Sequence, residues 1–162
     1  NKMNAAIVRY VRSTYNVLIG DSTADRVKRE IGTVWTEGQP EKTVEVKGRN
    51  LVTGLPQKIT LSSYELEMPL RIEVERIITA LQSVMEQTPP ELVADIEKNG
   101  LLMTGGGAML DGLDKLITSR VRIRAHLAEN PIEAVAIGTG KSFEYLGKLY
   151  DGFVSYTNYS SR

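Results

Sequence analysis

Three consecutive glycines that follow a short apolar run are the strongest chemical signal in this sequence. The run is Leu101–Met103, which we interpret as a buried strand, and the glycines are Gly105, Gly106 and Gly107. Glycine adopts backbone conformations that residues with a Cβ resist, and it lets another atom approach the chain closely. A helix predicted over residues 109–119 would add unpaired N–H groups and a positive dipole end. The pattern predicts a binding site for a phosphate or ribose group. The alternative is a tight strand-to-helix turn that binds no ligand.

A second glycine-rich segment shares only part of the P-loop pattern. Gly138-Thr139-Gly140-Lys141-Ser142 has the Gly-Lys-Ser ending, but Val135 stands where a P-loop requires its first glycine. The segment also continues the apolar pattern of a helix predicted over residues 131–149. We therefore expect these glycines to let that helix pack closely on a neighbour, and we do not expect them to bind phosphate.

Composition excludes several classes of site. The 162 residues contain no cysteine and one histidine, so neither a thiol nucleophile nor a metal-ligand spacing of His and Cys exists. Twenty basic and twenty acidic residues give a net charge of zero, which gives no reason to expect a nucleic-acid partner. Asp111 and Asp114 follow the glycines, and first-turn acids usually complement the helix dipole. We assign no catalytic residue and no metal ligand.

The elements that would position these residues follow from periodicity and turn signals. Helical spacing predicts helices over residues 4–15 and 24–32, and strand alternation predicts a hairpin of residues 43–49 and 58–61. Ser62-x-x-Glu65 is a capping box that opens a long helix, which we expect Pro69 to break or restart. Residues 121–125 are predicted as a strand that joins Leu101–Met103 in a mixed sheet.

Four segments together resemble the MreB family of bacterial actin-like proteins over nearly the whole chain. Residues 2–12 resemble the helix after the family's second phosphate loop, and residues 19–32 resemble the adenine-side helix of its inserted subdomain. Residues 48–56 resemble a family turn. Residues 102–108, with Asn130-Pro131 and Gly138-Thr139-Gly140 after them, resemble the adenosine and second connecting motifs. Heat-shock chaperones and sugar kinases share the fold but not these strings, and a lobe of one of them is the alternative function.

The resemblance implies an α/β fold, the second lobe of an actin-like (ribonuclease H-like) ATPase with an inserted small α/β subdomain. Residues 1–18 and 86–150 would form the lobe, residues 19–85 the insertion, and residues 151–162 a loose tail. It also implies that Gly105, Gly106 and Gly107 back the ribose and α-phosphate of ATP or ADP with Mg²⁺. Asp25 and Lys28 would flank the adenine, and the family more often has glutamate where Asp25 stands.

The chain opens as Asn1-Lys2-Met3-Asn4 without an initiator methionine, so we interpret it as a C-terminal half. By resemblance, the missing half holds the phosphate loops, the catalytic glutamate and the membrane-binding element. The complete protein would be a weak ATPase that polymerises into filaments at the inner face of the cell membrane and directs rod-shaped wall growth. Its partners would be itself, an adaptor such as RodZ and the cell-wall elongation machinery. This half alone should bind nucleotide weakly or not at all and hydrolyse none. An independent adaptor that binds the parent protein is a further alternative.

Overall fold

A computed structural model describes residues 1–144 of the chain. These residues form six α-helices and five strands. The helices are α1 (Lys2–Tyr15), α2 (Asp21–Ile31), α3 (Ser63–Gln87), α4 (Pro90–Asn99), α5 (Leu113–Val121) and α6 (Ala134–Glu144); the strands are β1 (Val17–Leu18), β2 (Thr43–Asn50), β3 (Pro56–Ser62), β4 (Leu101–Met103) and β5 (Ala125–Leu127). A short 3-10 helix, Gly106–Met109, lies between β4 and α5.

The predicted hairpin is confirmed, and a third strand joins it. β2 and β3 pair antiparallel, with Val46 opposite Ile59. Both side chains are buried, so the alternation of the sequence matches the face that meets the core. β1 pairs antiparallel with the end of β2, so the stretch that we expected only to end the first helix also forms an edge strand.

The prediction that Pro69 breaks the long helix is wrong, because α3 continues through it. A proline inside a helix costs about 3 kcal/mol through a lost hydrogen bond and a clash with the preceding turn. Leu66, Leu70 and Val74, on either side of the proline, are fully buried. Each contributes about 1.5–3 kcal/mol by burial, which offsets that cost. The capping box is confirmed, since the Ser62 hydroxyl accepts a hydrogen bond from the N–H of Tyr64 and the Glu65 carboxylate accepts one from the N–H of Ser62.

The strand predicted to join Leu101–Met103 lies further along the chain than expected. β4 pairs in parallel with β5, so the strand is Ala125–Leu127 and not residues 121–125. Val121 is the last residue of α5, and Arg122 then turns the chain with a left-handed φ of 62°. Within the described residues the five strands form two separate sheets, one antiparallel and one parallel, and not one mixed sheet.

The expectation that Gly138 and Gly140 let their helix pack closely is also wrong within residues 1–144. Both glycines lie in α6, as predicted, but a Cβ on either would meet no described atom within 4 Å. Val135 and Phe143 on the same helix are 73% and 69% exposed. The apolar side of α6 therefore faces away from the described core.

One continuous hydrophobic core joins the two sheets. Its fully buried members come from α1, α2, the three-stranded sheet, α3 and α5, and include Ile7, Val46, Leu66, Leu70 and Leu116. The boundaries of an inserted subdomain at residues 19 and 85 stay a prediction. The predicted tail at residues 151–162, and the end of the helix predicted to residue 149, lie outside the described residues.

The carboxylate of Glu65 ties α1 to α3 and supports a pH prediction. It accepts hydrogen bonds from the Tyr15 and Tyr10 hydroxyls at 2.6 and 3.0 Å. The hydrogen bond to Glu65, with burial second, raises the pKa of Tyr15 to about 12. A raised tyrosine pKa means that the neutral phenol stabilises the fold below pH ~10, the ordinary value, and that this contribution is lost as the pH rises through about 12.

We expect Tyr15→Phe to lower the free energy of unfolding by about 1–2 kcal/mol at pH 8, since one hydrogen bond to a charged group is lost. The difference from wild type should shrink between pH 10 and the pKa of Tyr15. Urea titrations across this range measure it. Glu65→Gln is the matched control for Tyr15→Phe, because glutamine keeps the capping box but removes the carboxylate that raises the pKa of Tyr15. A difference that is constant with pH would contradict the prediction.

Candidate nucleotide site

A cavity of about 530 Å³ lies between α2 and the turn at Gly105–Gly107, which we call the glycine turn. Four of the five predicted site residues line it together: Asp25, Lys28, Gly106 and Gly107. Gly105 is next to them in sequence and does not line the cavity. Fifty or more residues of sequence separate the two walls, so the fold brings together what the sequence places far apart. A larger groove of about 780 Å³ lies between α1 and α3, but none of the predicted residues lines it.

The glycine turn is open toward this cavity. Gly105 has a φ of +85°, and its N–H donates to the carbonyl of Pro131 at 2.6 Å. A Cβ on Gly106 or Gly107 would meet no described atom within 4 Å. These two positions therefore leave space that a side chain would fill, as a close approach by a ligand requires.

The helix predicted over residues 109–119 begins later than expected. The glycines enter a 3-10 helix of four residues, and α5 begins only at Leu113. Four residues align too few peptide dipoles to make a substantial positive end. The case for a ligand at this turn therefore depends on open space and not on a helix dipole. Asp114 does lie in the first turn of α5, as predicted.

On the opposite wall, Asp25 and Lys28 form a fixed pair on one face of α2. The Lys28 Nζ atom lies 2.8 Å from Asp25 Oδ1, and Arg29 contacts the other oxygen of the same carboxylate at 2.5 Å. The Lys28 hydrogen bond, more than the neighbouring charges, holds the pKa of Asp25 below its usual range. Asp25 therefore keeps its negative charge to lower pH than an ordinary aspartate.

Several residues of the site were missed by sequence reasoning. Arg29 and Lys42 line the cavity as exposed cations, alongside acidic residues such as Glu30. Arg29 directly follows Lys28 on α2, whereas Lys42 lies in the segment between α2 and β2, where no pattern marks it. Asn4, on α1, accepts a hydrogen bond from Lys28. Only the tertiary contact between α1 and α2 reveals its role.

A junction behind the cavity fixes the distance between its walls. The N–H of Val34, just after α2, donates to the carbonyl of Asp111 at 3.0 Å, and Thr33 Oγ1 lies 3.3 Å from the same oxygen. Trp35 packs directly on Gly112, whose φ is +75°. The α2 wall and the segment after the glycine turn are therefore bound to each other through backbone contacts.

Within residues 1–144, no three His, Cys, Asp or Glu side chains lie close enough to hold a metal ion, and we assign no metal ligand there. His126 is exposed on β5. No helix in the same range has the length and apolar character needed to cross a membrane.

The fold and the cavity together define the class of protein. The described lobe superimposes on the crystal structure of MreB 5 of Spiroplasma citri bound to AMPPNP, with a TM-score of 0.86 and 31% identity over 93% of this chain and 45% of that one. A MamK double helical filament structure matches with a TM-score of 0.67 at 15% identity, over 82% of this chain and 40% of that one, which shows the shared fold. The chain is thus an α/β lobe of the actin-like class.

Sequence comparison narrows this class to one family. The model of the MreB/Mbl protein family matches residues 1–151. The cell shape-determining protein Mbl of Bacillus subtilis (strain 168) is 42% identical over 92% of this chain, and the cell shape-determining protein MreB of Escherichia coli (strain K12) is 41% identical over 90%. This chain belongs to the MreB/Mbl family of cell shape-determining actin homologues. It spans 44% of the Mbl sequence and 42% of the MreB sequence, less than half of each relative.

Proposed function

We propose that this chain forms one wall of an adenine-nucleotide site in a cell shape-determining, filament-forming protein. The observation that carries the proposal is the cavity in which Asp25 and Lys28 of α2 face the open glycines Gly106 and Gly107. Family membership favours this function over a chaperone or sugar-kinase lobe. A relative of 31–32% identity has been crystallised with AMPPNP and with ADP, which supports an adenine nucleotide as the ligand.

The residues fit such a ligand by shape. The unfilled space beside Gly106 and Gly107 can take the ribose and α-phosphate, and the cavity lining mixes the cations Arg29 and Lys42 with acidic residues. Asp25 and Lys28 would contact the adenine side, where a carboxylate and an ammonium offer an acceptor and a donor to the base. Mg²⁺ would accompany the nucleotide in the complete protein, where it supplies charge neutralisation for the phosphates.

Assembly and location extend the proposal to the complete protein. By family resemblance, this lobe supplies part of the end-to-end contact between subunits, and the filament lies at the cytoplasmic face of the cell membrane. RodZ and the cell-wall elongation machinery are the proposed partners. A weak ATPase activity is proposed for the complete protein only, because positioning water and γ-phosphate requires groups on both sides of a cleft.

Sedimentation of a complete MreB/Mbl protein that contains this chain tests the proposal. We expect ATP to increase the pelleted fraction, and we expect charge reversals at exposed positions of the lobe, such as Arg49→Glu and Lys98→Glu, to reduce it. Calorimetry on the 162-residue chain alone should show weak or no ATP binding and no turnover. Unchanged pelleting across all variants would count against the filament contact. Micromolar binding with turnover by the chain alone would refute the assignment of a single wall.

A further inference from the structure

A buried amide on α1 connects to the proposed ligand-binding wall of α2. Asn4 is 3% exposed and is one of four buried polar or charged side chains that the structure describes. It does not line the cavity, so it would not touch a nucleotide there. Buried polar groups are costly unless they are hydrogen-bonded, so the partners of this amide indicate what it does.

The two ends of the amide bind opposite charges on α2. Asn4 Oδ1 accepts a hydrogen bond from Lys28 Nζ at 2.8 Å, and Asn4 Nδ2 donates to Asp21 Oδ2 at 3.2 Å. This orientation follows from chemistry, because an ammonium only donates and a carboxylate only accepts. Lys28 Nζ also contacts Asp25 at 2.8 Å, so two acceptors from two helices hold the ammonium.

We propose that Asn4 is a positioning residue that acts through Lys28 to hold the α2 wall in its ligand-binding geometry. This inference rests on the proposed nucleotide site. A free lysine side chain has four rotatable bonds, and fixing them at the moment of binding costs affinity. Lys28 is only 15% exposed and is already held between Asn4 and Asp25. Its side chain therefore loses little further conformational entropy when a ligand binds. Without Asn4, Asp25 would be the one described partner of Lys28, and Asp25 is shared with Arg29.

A purely structural role for Asn4, as a tie between α1 and α2, makes a different prediction. A tie through Asp21 would still contribute to stability when Lys28 is absent, so its loss would add to the loss of Lys28. A positioning residue has no effect on ligand affinity once the residue it positions is gone. The two roles are therefore separated by a double-mutant cycle on nucleotide affinity.

The experiment measures ADP binding by calorimetry on a complete MreB/Mbl protein that contains this chain. Asn4→Leu keeps the size of the side chain and removes both hydrogen bonds, and we expect it to weaken ADP binding about tenfold, because the Lys28 side chain must then be ordered when the ligand binds. Lys28→Met should weaken it at least as much. The double variant should bind no more weakly than Lys28→Met alone. Thermal unfolding of each variant confirms that it is folded.

An exchange of the two side chains provides the rescue. In Asn4→Asp with Asp21→Asn, position 4 still accepts from Lys28 and position 21 donates to position 4, so affinity should return to near the wild-type value. Additive effects of Asn4→Leu and Lys28→Met, or wild-type affinity of Asn4→Leu beside a weakened Lys28→Met, would overturn the positioning role and leave the nucleotide site standing. Absence of ADP binding by the wild-type protein would overturn the site itself.

Discussion

Gly106→Val should strongly weaken nucleotide binding by a complete MreB/Mbl protein that contains this chain, while the protein stays folded. A Cβ at Gly106 would meet no described atom within 4 Å, so the valine methyl groups would enter the open cavity and not the protein core. They would occupy the space proposed for the ribose. Overpacking a well-fitted site costs typically about 1–3 kcal/mol, which corresponds to a loss of about fivefold to more than a hundredfold in affinity. Calorimetry with ATP and with ADP measures the loss.

Gly20→Val is the matched control for this substitution. Gly20 precedes α2 with an extended φ of −82°, is exposed and does not line the cavity. The nearest atom to its Cβ would be Ser22 Oγ at 4.0 Å, an ordinary contact. We expect this variant to bind nucleotide like the wild type. Wild-type binding by the Gly106→Val protein would refute the assignment of the glycine turn.

The largest effect on folding is expected for Gly112→Ala, at the junction of the two walls. Gly112 has a φ of +75°, and an L-residue there costs about 1–2 kcal/mol. The added Cβ would also clash with the Cβ of Trp35, and it would lie only 3.0 Å from the Trp35 backbone nitrogen. Relieving that overlap costs about 1–3 kcal/mol more, because the nearest atoms are backbone and Cβ atoms that cannot rotate away. The free energy of unfolding should therefore fall by about 2–5 kcal/mol in total.

Urea unfolding of the 162-residue chain, followed by the fluorescence of its one tryptophan, Trp35, measures this change. Gly54→Ala separates the two contributions. Gly54 has a φ of +72°, close to that of Gly112, but its Cβ would meet no described atom within 4 Å. That variant should lose only the left-handed cost of about 1–2 kcal/mol. Equal losses for the two variants would show that Trp35 adjusts without cost.

Local patterns in the sequence were sufficient for much of the fold and part of the site. The alternation in β2 and β3, the capping box at Ser62 and the glycines after β4 are each encoded within a few neighbouring residues. Such signals are reliable because the hydrogen bonds and φ values that produce them are local. The resemblance of longer strings to the MreB family then indicated Asp25 and Lys28 as partners of the glycines, and the structure places both at the cavity that Gly106 and Gly107 line.

Other features depended on contacts between distant segments. Pro69 stays inside α3 because Leu66, Leu70 and Val74 are buried against other elements. The free energy gained by burying them exceeds the local cost of a proline inside a helix. The start of β5 depends on where β4 offers a partner, and the role of Asn4 depends on α2 lying against α1. The sequence by itself determined most of the helices, the hairpin of β2 and β3, and the place of the glycines directly after β4. Only the tertiary structure decided the shape of the cavity and the partners of its charges, because burial and hydrogen bonding between distant residues outweigh local preference.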